Sequence, residues 1–441
     1  MELDTKFVFL SIIFIILLSG AELHLSKRFT FFNTTDFLIR YLFPKEPNLL
    51  RVRNSEEART INKVTTLDFI GLVERHGYPG EEHYVTTEDG YNLKLHRMPD
   101  SPLSNNNKQN KIVVLLMHGI LSSSDSWVLY GANKDLAFLL TDQGYDVWFG
   151  NFRGNSYCRS HVKMSTHDPK FWEYSYHEIG TKDLPATIDY ILNYTKSETL
   201  YYIGHSMGST AFLALLSMKP EYNAKIKLGI CLAPVTFWKE RSPVFKFLFS
   251  VVPQIKKFLD NNNIYDVASL SSTSITAGRT LCGDYNIITQ VFCVKLLFLI
   301  AGSDPLELNT TTLPEIFSHY PDGTSVRSFM HYYQNGITGD FQTFDYGYLG
   351  NYERYKQPTP VKYNLKKITV PIALFYGNND QIVPKANVLY LHKQLPNVIL
   401  LEEVPNKFFT HLDFLWSINA KVFLYDRVIQ VMQKFESDSS R

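Results

Sequence analysis

Cysteine is scarce, with four in 441 residues. That excludes a disulfide scaffold, which relies on dense cross-linking in place of a core. A surplus of one charge is missing as well. Forty-four Lys and Arg stand against 43 Asp and Glu, a net charge of +1, so nothing reads as a nucleic-acid footprint. Long apolar runs are absent beyond the N-terminus, and none approaches the ~20 residues that cross a bilayer. At 45% hydrophobic and 20% charged, the chain is too apolar to remain disordered. Aromatics are plentiful: 31 Phe, 27 Tyr and 5 Trp. They call for a large core, a large apolar site, or both.

The one notable apolar run, FVFLSIIFIILL at 7–18, follows Lys6 and precedes Ser19-Gly20-Ala21. Its length and the small residues at 19 and 21 fit a secretory signal cleaved after Ala21. Glu2 and Asp4 are unusual in such a signal, which leaves an uncleaved anchor as the alternative. Asn33, Asn193 and Asn309 each open an Asn-x-Ser/Thr triplet, and in a secreted chain these are glycan acceptors.

Residues 22–66 are mixed and charged, without clear periodicity, and read as a pro-segment or loosely packed arm. From 67 the pattern tightens. The stretch 84–95 reads as a β-hairpin turning at Glu88-Asp89-Gly90. Short apolar runs at 112–117, 145–149, 200–203, 228–232, 368–376 and 398–404 alternate with helical patterns at 184–192, 210–218 and 385–394. Buried-type strands alternating with helices indicate an α/β fold, a mostly parallel sheet with helices on both faces. The rhythm lapses over 236–362, too long for a loop, so this interval is expected to be an inserted subdomain. The α/β core then divides into 67–235 and 363–441.

Gly204-His205-Ser206-Met207-Gly208 lies between an apolar strand and an apolar helix. A tight strand-to-helix turn lifts a serine hydroxyl out of the sheet, flanking glycines permit the turn, and the helix N-terminus offers amides to an oxyanion. Ser206 is therefore the candidate nucleophile and the N–H of Met207 one oxyanion donor. The strand 112–117 runs into His118-Gly119-Ile120, which makes the N–H of Ile120 the second donor; a plain glycine turn is the alternative.

Partners follow such a serine in the order acid, then histidine. Asp380 ends the strand pattern at 371–376, whereas Asp304, the competing acid, falls within the irregular insertion. After Asp380 only His392 and His411 remain. His392 sits in a surface-type helix, so His411 is the candidate base. Asp413 is a local neighbour placed wrongly for the acid. No metal or organic cofactor is called for.

Taken together these residues resemble the acid lipases, the group containing gastric and lysosomal acid lipase, within the α/β-hydrolases. The resemblance spans about 69–435. It rests on Tyr78-Pro79, the Val85–Tyr91 segment VTTEDGY, the His118-Gly-Ile-Leu loop and YDVWFGNFRGN at 145–155. It continues through DLPATID at 183–189, GHSMG at 204–208, YPDGTSV at 320–326, FDYG at 344–347 and HLDFLW at 411–416. The resemblance implies a mainly helical cap with a lid over the site, matching 236–362. It also implies hydrolysis of triacylglycerols or sterol esters at a lipid–water interface, with Ser206, Asp380 and His411 in the triad positions. Met207 stands where vertebrate members commonly have Gln, which leaves the backbone donor intact. Family members often carry a cap disulfide; Cys282 and Cys293 lie near that place at a wider spacing, so their pairing stays open. Cys158 and Cys231 read as unpaired core thiols. Such a protein is secreted, or alternatively lysosomal. Competing readings are an esterase or acyltransferase for soluble short-chain esters, and a non-catalytic lipid-binding relative, which would usually lack the serine or the histidine.

Overall fold

The computed structural model describes residues 50–54, 56–57, 64–103, 111–285 and 287–439. The expected signal at 1–21 and the Asn33 triplet lie outside them.

Alternation along single strands decides which layer each side chain joins, because successive residues point to opposite faces. In the strand β5 (Val113–Met117) every residue is buried. Val113, Leu115 and Met117 enter one core, while Val114 and Leu116 enter the other. A strand covered on both sides has no need of polar residues, which is why it reads as an unbroken apolar run.

The main sheet also contains β3 (Glu81–Thr86), β4 (Tyr91–Met98), β6 (Asp146–Gly150), β7 (Ser160–His161), β8 (Leu200–His205), β9 (Ile226–Leu232), β12 (Ile372–Tyr376) and β13 (Val398–Glu403). Its order is β13-β12-β9-β8-β5-β6-β4-β3, with β7 paired to β4. From β6 to β13 all pairs are parallel, and β3 and β4 form the expected antiparallel hairpin. The expected strand at 368–376 begins only at Ile372. Pro371 has no N–H to donate and instead offers its carbonyl to Gly229.

Helices α3 (Leu184–Thr195), α4 (Met207–Met218) and α10 (Lys385–Gln394) cover one face, through Leu184, Ile188, Ala211, Leu215, Val388 and Leu391. Helices α1 (Phe69–Glu74), α2 (Leu136–Asp142) and α11 (Asp426–Ser439) cover the other, through Phe69, Phe138 and Met432. This is an α/β-hydrolase-type arrangement of a mostly parallel sheet between two helical layers.

Between β9 and β12 the chain forms helices α5 (Pro243–Asn261), α6 (Ser272–Cys282), α7 (Ile287–Ala301), α8 (Val326–Thr338) and α9 (Gly347–Tyr355). A short antiparallel pair, β10 (Asp266–Val267) with β11 (Thr324–Ser325), ties this insertion together. Cys282 and Cys293 are disulfide-bonded across the α6–α7 bend, while Cys158 and Cys231 are buried free thiols.

In the described end of the charged N-terminal stretch Val52 is buried and Arg51 half-buried, while Leu50, Asn54, Glu56 and Glu57 are exposed. β1 (Leu50–Val52) pairs in parallel with β2 (Thr65–Leu67). Arg51 reaches Asp125 at 2.7 Å, Ser156 at 2.6 Å and Tyr157 at 2.8 Å. Asp125 also contacts His319 at 2.8 Å, so an arm residue neutralises a fully buried carboxylate that the local sequence gives no reason to expect.

Candidate active site

Ser206 sits at the junction of β8 and α4 with φ 52° and ψ −115°. A non-glycine residue there is strained by about 1–3 kcal/mol and persists because its surroundings over-determine it. Its amide donates to Leu232 O at 2.9 Å, Ser209 Oγ donates to Gly204 O at 2.6 Å, and Tyr202 OH donates to Gly208 O at 2.7 Å. The two motif glycines have a steric cause. A Cβ on Gly204 would lie 2.7 Å from Gly208 C, and one on Gly208 would lie 2.4 Å from Met117 O. Only bare backbone lets β8, α4 and the end of β5 meet this closely.

His411 Nε2 lies 2.9 Å from Ser206 Oγ, and His411 Nδ1 lies 2.7 Å from Asp380 Oδ2. The other oxygen, Asp380 Oδ1, accepts the amides of Ile382 and Val383, both at 2.8 Å. Those two bonds fix the carboxylate, so Oδ2 faces the imidazole. An ionised acceptor at Nδ1 keeps the proton there and leaves Nε2 free to accept from serine. All three side chains are buried. Their loops are laced together: Asn379 N–H donates to Phe409 O at 3.1 Å, and Val404 N–H donates to Tyr376 O at 3.0 Å.

The loop after β5 passes beside the serine, since a Cβ on Gly119 would lie 3.1 Å from Ser206 Cβ. His118 supports that loop. Its Nδ1–H donates to Gly119 O at 2.7 Å while Nε2 accepts from Phe152 N–H at 3.2 Å. Burial pushes His118 down to about 4, so it stays neutral and holds this tautomer. Leu121 adopts a left-handed φ of 61°, and its carbonyl accepts from Asp322 N–H in the insertion at 2.7 Å. Ile120 lines the cavity that contains Ser206, and Met207 opens α4, where amides lack intrahelical acceptors.

The remaining candidates are elsewhere. Asp304 is buried against Asn406 Nδ2 at 2.7 Å. The two histidines between Ser206 and Asp380 in the described insertion are also engaged elsewhere: His319 is bound to Asp125 and Thr66, and His331 to Ser175 and Gln342 O. Asp413 Oδ2 accepts the amide of Thr410 at 2.6 Å, bracing the His411 loop instead of pairing with its ring. Asn193 is exposed and Asn309 half-buried.

Ser206 and His411 open into a cavity of about 550 Å³ whose walls are almost entirely apolar. Ile120, Val235 and Leu415 line it from the core, with Trp238, Phe249, Leu259, Phe329 and Met330 from the insertion. The size falls within the ~300–1,000 Å³ typical of small-molecule sites.

A parallel sheet carrying a serine on a strained strand–helix turn, within reach of a histidine and an acid, defines an α/β-hydrolase with a serine-type site. The model for "alpha/beta hydrolase fold" matches residues 112–415, and that for "partial alpha/beta-hydrolase lipase region" matches 69–131. The chain belongs to the acid lipase family of the α/β-hydrolases. It is 36% identical to Lipase 1 of Drosophila melanogaster, covering 87% of this chain and 83% of that one. It is 35% identical to gastric triacylglycerol lipase of Bos taurus, covering 84% and 92%. It is also 35% identical to lysosomal acid lipase/cholesteryl ester hydrolase of Macaca fascicularis, covering 85% and 93%. A soluble variant of monoglyceride lipase from Saccharomyces cerevisiae shares the fold, with a TM-score of 0.50 at 17% identity, covering 80% and 94%.

Proposed function

We propose that this protein hydrolyses carboxylic ester bonds of neutral lipids, triacylglycerols or sterol esters, through an acyl-enzyme on Ser206. The relay Ser206–His411–Asp380 opening into a large apolar cavity carries the reading. His411 takes the serine proton as Oγ attacks the ester carbonyl, and Asp380 stabilises the resulting imidazolium. The amides of Ile120 and Met207 receive the oxyanion. Collapse of the tetrahedral species breaks the carbon–oxygen bond to the alcohol, and His411 returns the proton to that leaving oxygen. Water then repeats the sequence on the acyl-enzyme, releasing the fatty acid and restoring Ser206.

With a net charge of only +1 to draw it to anionic surfaces, the protein would meet its substrate through apolar area. Helix α7 supports this, since Ile287 and Ile288 are 73% and 78% exposed. Among the described residues no single helix is long and apolar enough to cross a membrane. The apolar N-terminal run and the Asn193 and Asn309 triplets favour a secreted protein, with a lysosomal one as the alternative.

The test is hydrolysis of triolein and cholesteryl oleate emulsions beside soluble p-nitrophenyl butyrate, with wild type and Ser206→Ala. Long-chain emulsions should be cleaved efficiently and the variant should lose activity on all three. Unchanged hydrolysis by Ser206→Ala would sink the nucleophile assignment. Strong preference for the soluble ester would sink the lipid assignment.

A further inference from the structure

The triad explains what His411 does with its ring but not what keeps its backbone in place. That backbone is held on both sides by groups outside the triad. On one side, His205 Nε2 lies 3.1 Å from the carbonyl oxygen of His411. On the other, the His411 amide donates to Ala301 O at 3.2 Å, the last residue of helix α7. Ala301 O also accepts from Gln381 N–H at 3.3 Å, one residue past Asp380. A single carbonyl at the end of an insertion helix therefore touches both the acid loop and the histidine loop.

His205 has only one way to make its bond. A carbonyl accepts and never donates, so Nε2 carries the proton and Nδ1 is a lone pair. Among the described residues that Nδ1 has no hydrogen-bond partner, and the ring is 3% exposed. Burial, followed by the nearby His411, holds the His205 imidazole well below the usual histidine range. The neutral form suits its place. The His205 and His411 rings are 4.9 Å apart between centroids, and a second cation there would oppose the imidazolium formed during each acyl transfer. A polar ring with one unsatisfied nitrogen is a poor choice for simple packing, so its value lies in the single bond it donates.

We propose that His205, together with the Ala301 carbonyl, forms a backbone clamp that positions His411 for proton transfer. His205 is thus a positioning residue, adjacent in sequence to the nucleophile yet acting through the base. The clamp also joins the exposed apolar helix α7 to the loops of the acid and base, so the element proposed to meet lipid ends on the catalytic loops. Gly302, which follows, allows this contact: its φ is +111°, and a Cβ there would lie 2.1 Å from Asn379 O.

The inference rests on the proposed reaction, so active-site titration with a p-nitrophenyl alkylphosphonate is done first. Labelling of wild type and its loss in Ser206→Ala establish that reaction independently of the clamp. His205→Phe, His205→Gln and His205→Asn are then compared on a soluble ester, with thermal melting as the folding control. Phe keeps the ring shape and removes the donor. Gln places an amide N–H near the Nε2 position, and Asn falls short of it. Misplacement of the base by ~1 Å lowers turnover roughly 100-fold, so Phe and Asn should lose about 10- to 100-fold in kcat with KM nearly unchanged. Gln should recover most of that loss. Gly302→Ala should lower kcat in the same way by lifting Ala301 away. The proposal is overturned if Phe or Asn retains wild-type kcat, or if Gln falls as far as Asn. If Phe does not fold, the Gln and Asn pair reads the same bond.

Discussion

Replacing Asp380 by Asn tests the proposed relay more sharply than removing it. The new amide can sit in either of two orientations, and the surrounding amides choose between them. Ile382 and Val383 both aim N–H groups at the inner oxygen from 2.8 Å. Turning the Asn NH2 toward them would forfeit two hydrogen bonds and oppose donor to donor. With each bond to a buried group worth about 1 kcal/mol and an unsatisfied buried donor about 1–3 kcal/mol, the carbonyl side stays inward. The NH2 therefore faces His411 Nδ1, which must become an acceptor, and the ring proton moves to Nε2. A protonated Nε2 cannot take the proton of Ser206, whose Oγ lies 2.9 Å away. The expected loss in kcat is roughly 10⁴-fold, as for the equivalent change in a serine triad, or about 5.5 kcal/mol. Stability should be little altered, because the buried contacts survive. Stopped-flow acylation with p-nitrophenyl butyrate, beside a thermal melt, measures both. A folded Asp380→Asn enzyme within tenfold of wild type would refute the tautomer argument.

Three further outcomes are expected. Gly208→Ala places a methyl 2.4 Å from Met117 O and 3.0 Å from His118 O, both backbone, so the elbow must open; a stability loss of about 3 kcal/mol and loss of phosphonate labelling should appear together. Asp413 is pushed up to about 7, chiefly by burial, with Asp304 and Glu307 adding to it and the Thr410 hydrogen bonds opposing it. The folded state then binds more protons than the unfolded chain between roughly pH 4 and 7, so this group's contribution to stability falls as pH rises through that window. Melting from pH 4 to 8 should show Asp413→Asn flattening the decline, and an unchanged slope would exclude Asp413 as its source. Cys282 and Cys293 close a short loop in the insertion, and replacing both with Ser should destabilise that region by about 3 kcal/mol. Hydrogen exchange should then accelerate in α6 and α7 and stay unchanged in the central strands.

Much of the architecture is legible from local pattern. Apolar runs at 112–117, 200–203 and 228–232 are strands because each buries both faces, and no helix of that length would do so between Gly and Pro boundaries. GHSMG is legible for a similar reason, since its glycines answer contacts within the turn and with the adjoining strand. The sequence favours Asp380 over Asp304 because Asp304 falls within the irregular insertion, and the structure brings Asp380 to His411. By contrast, the role of Arg51 was invisible. Its stretch has no periodicity, and its partner Asp125 is 74 residues away. His205 stood in plain view within the motif, but the carbonyl it reaches belongs to a residue 206 positions later.

The chain by itself determined the order and type of the main elements outside the insertion, the strained turn at Ser206, and which residues could serve as acid and base. Those properties depend on neighbours within one strand, turn or helix, where spacing dictates geometry. Tertiary structure alone decided that Cys282 meets Cys293, that the Asp380 carboxylate is turned by two amides, and that the end of α7 grips the catalytic loops. These are contacts between distant segments, set by how the insertion packs on the sheet. Composition left the aromatic residues divided between core and site. The fold answers with both, since Trp148 and Phe149 fill the two layers around the sheet while Trp238 and Phe249 wall the cavity.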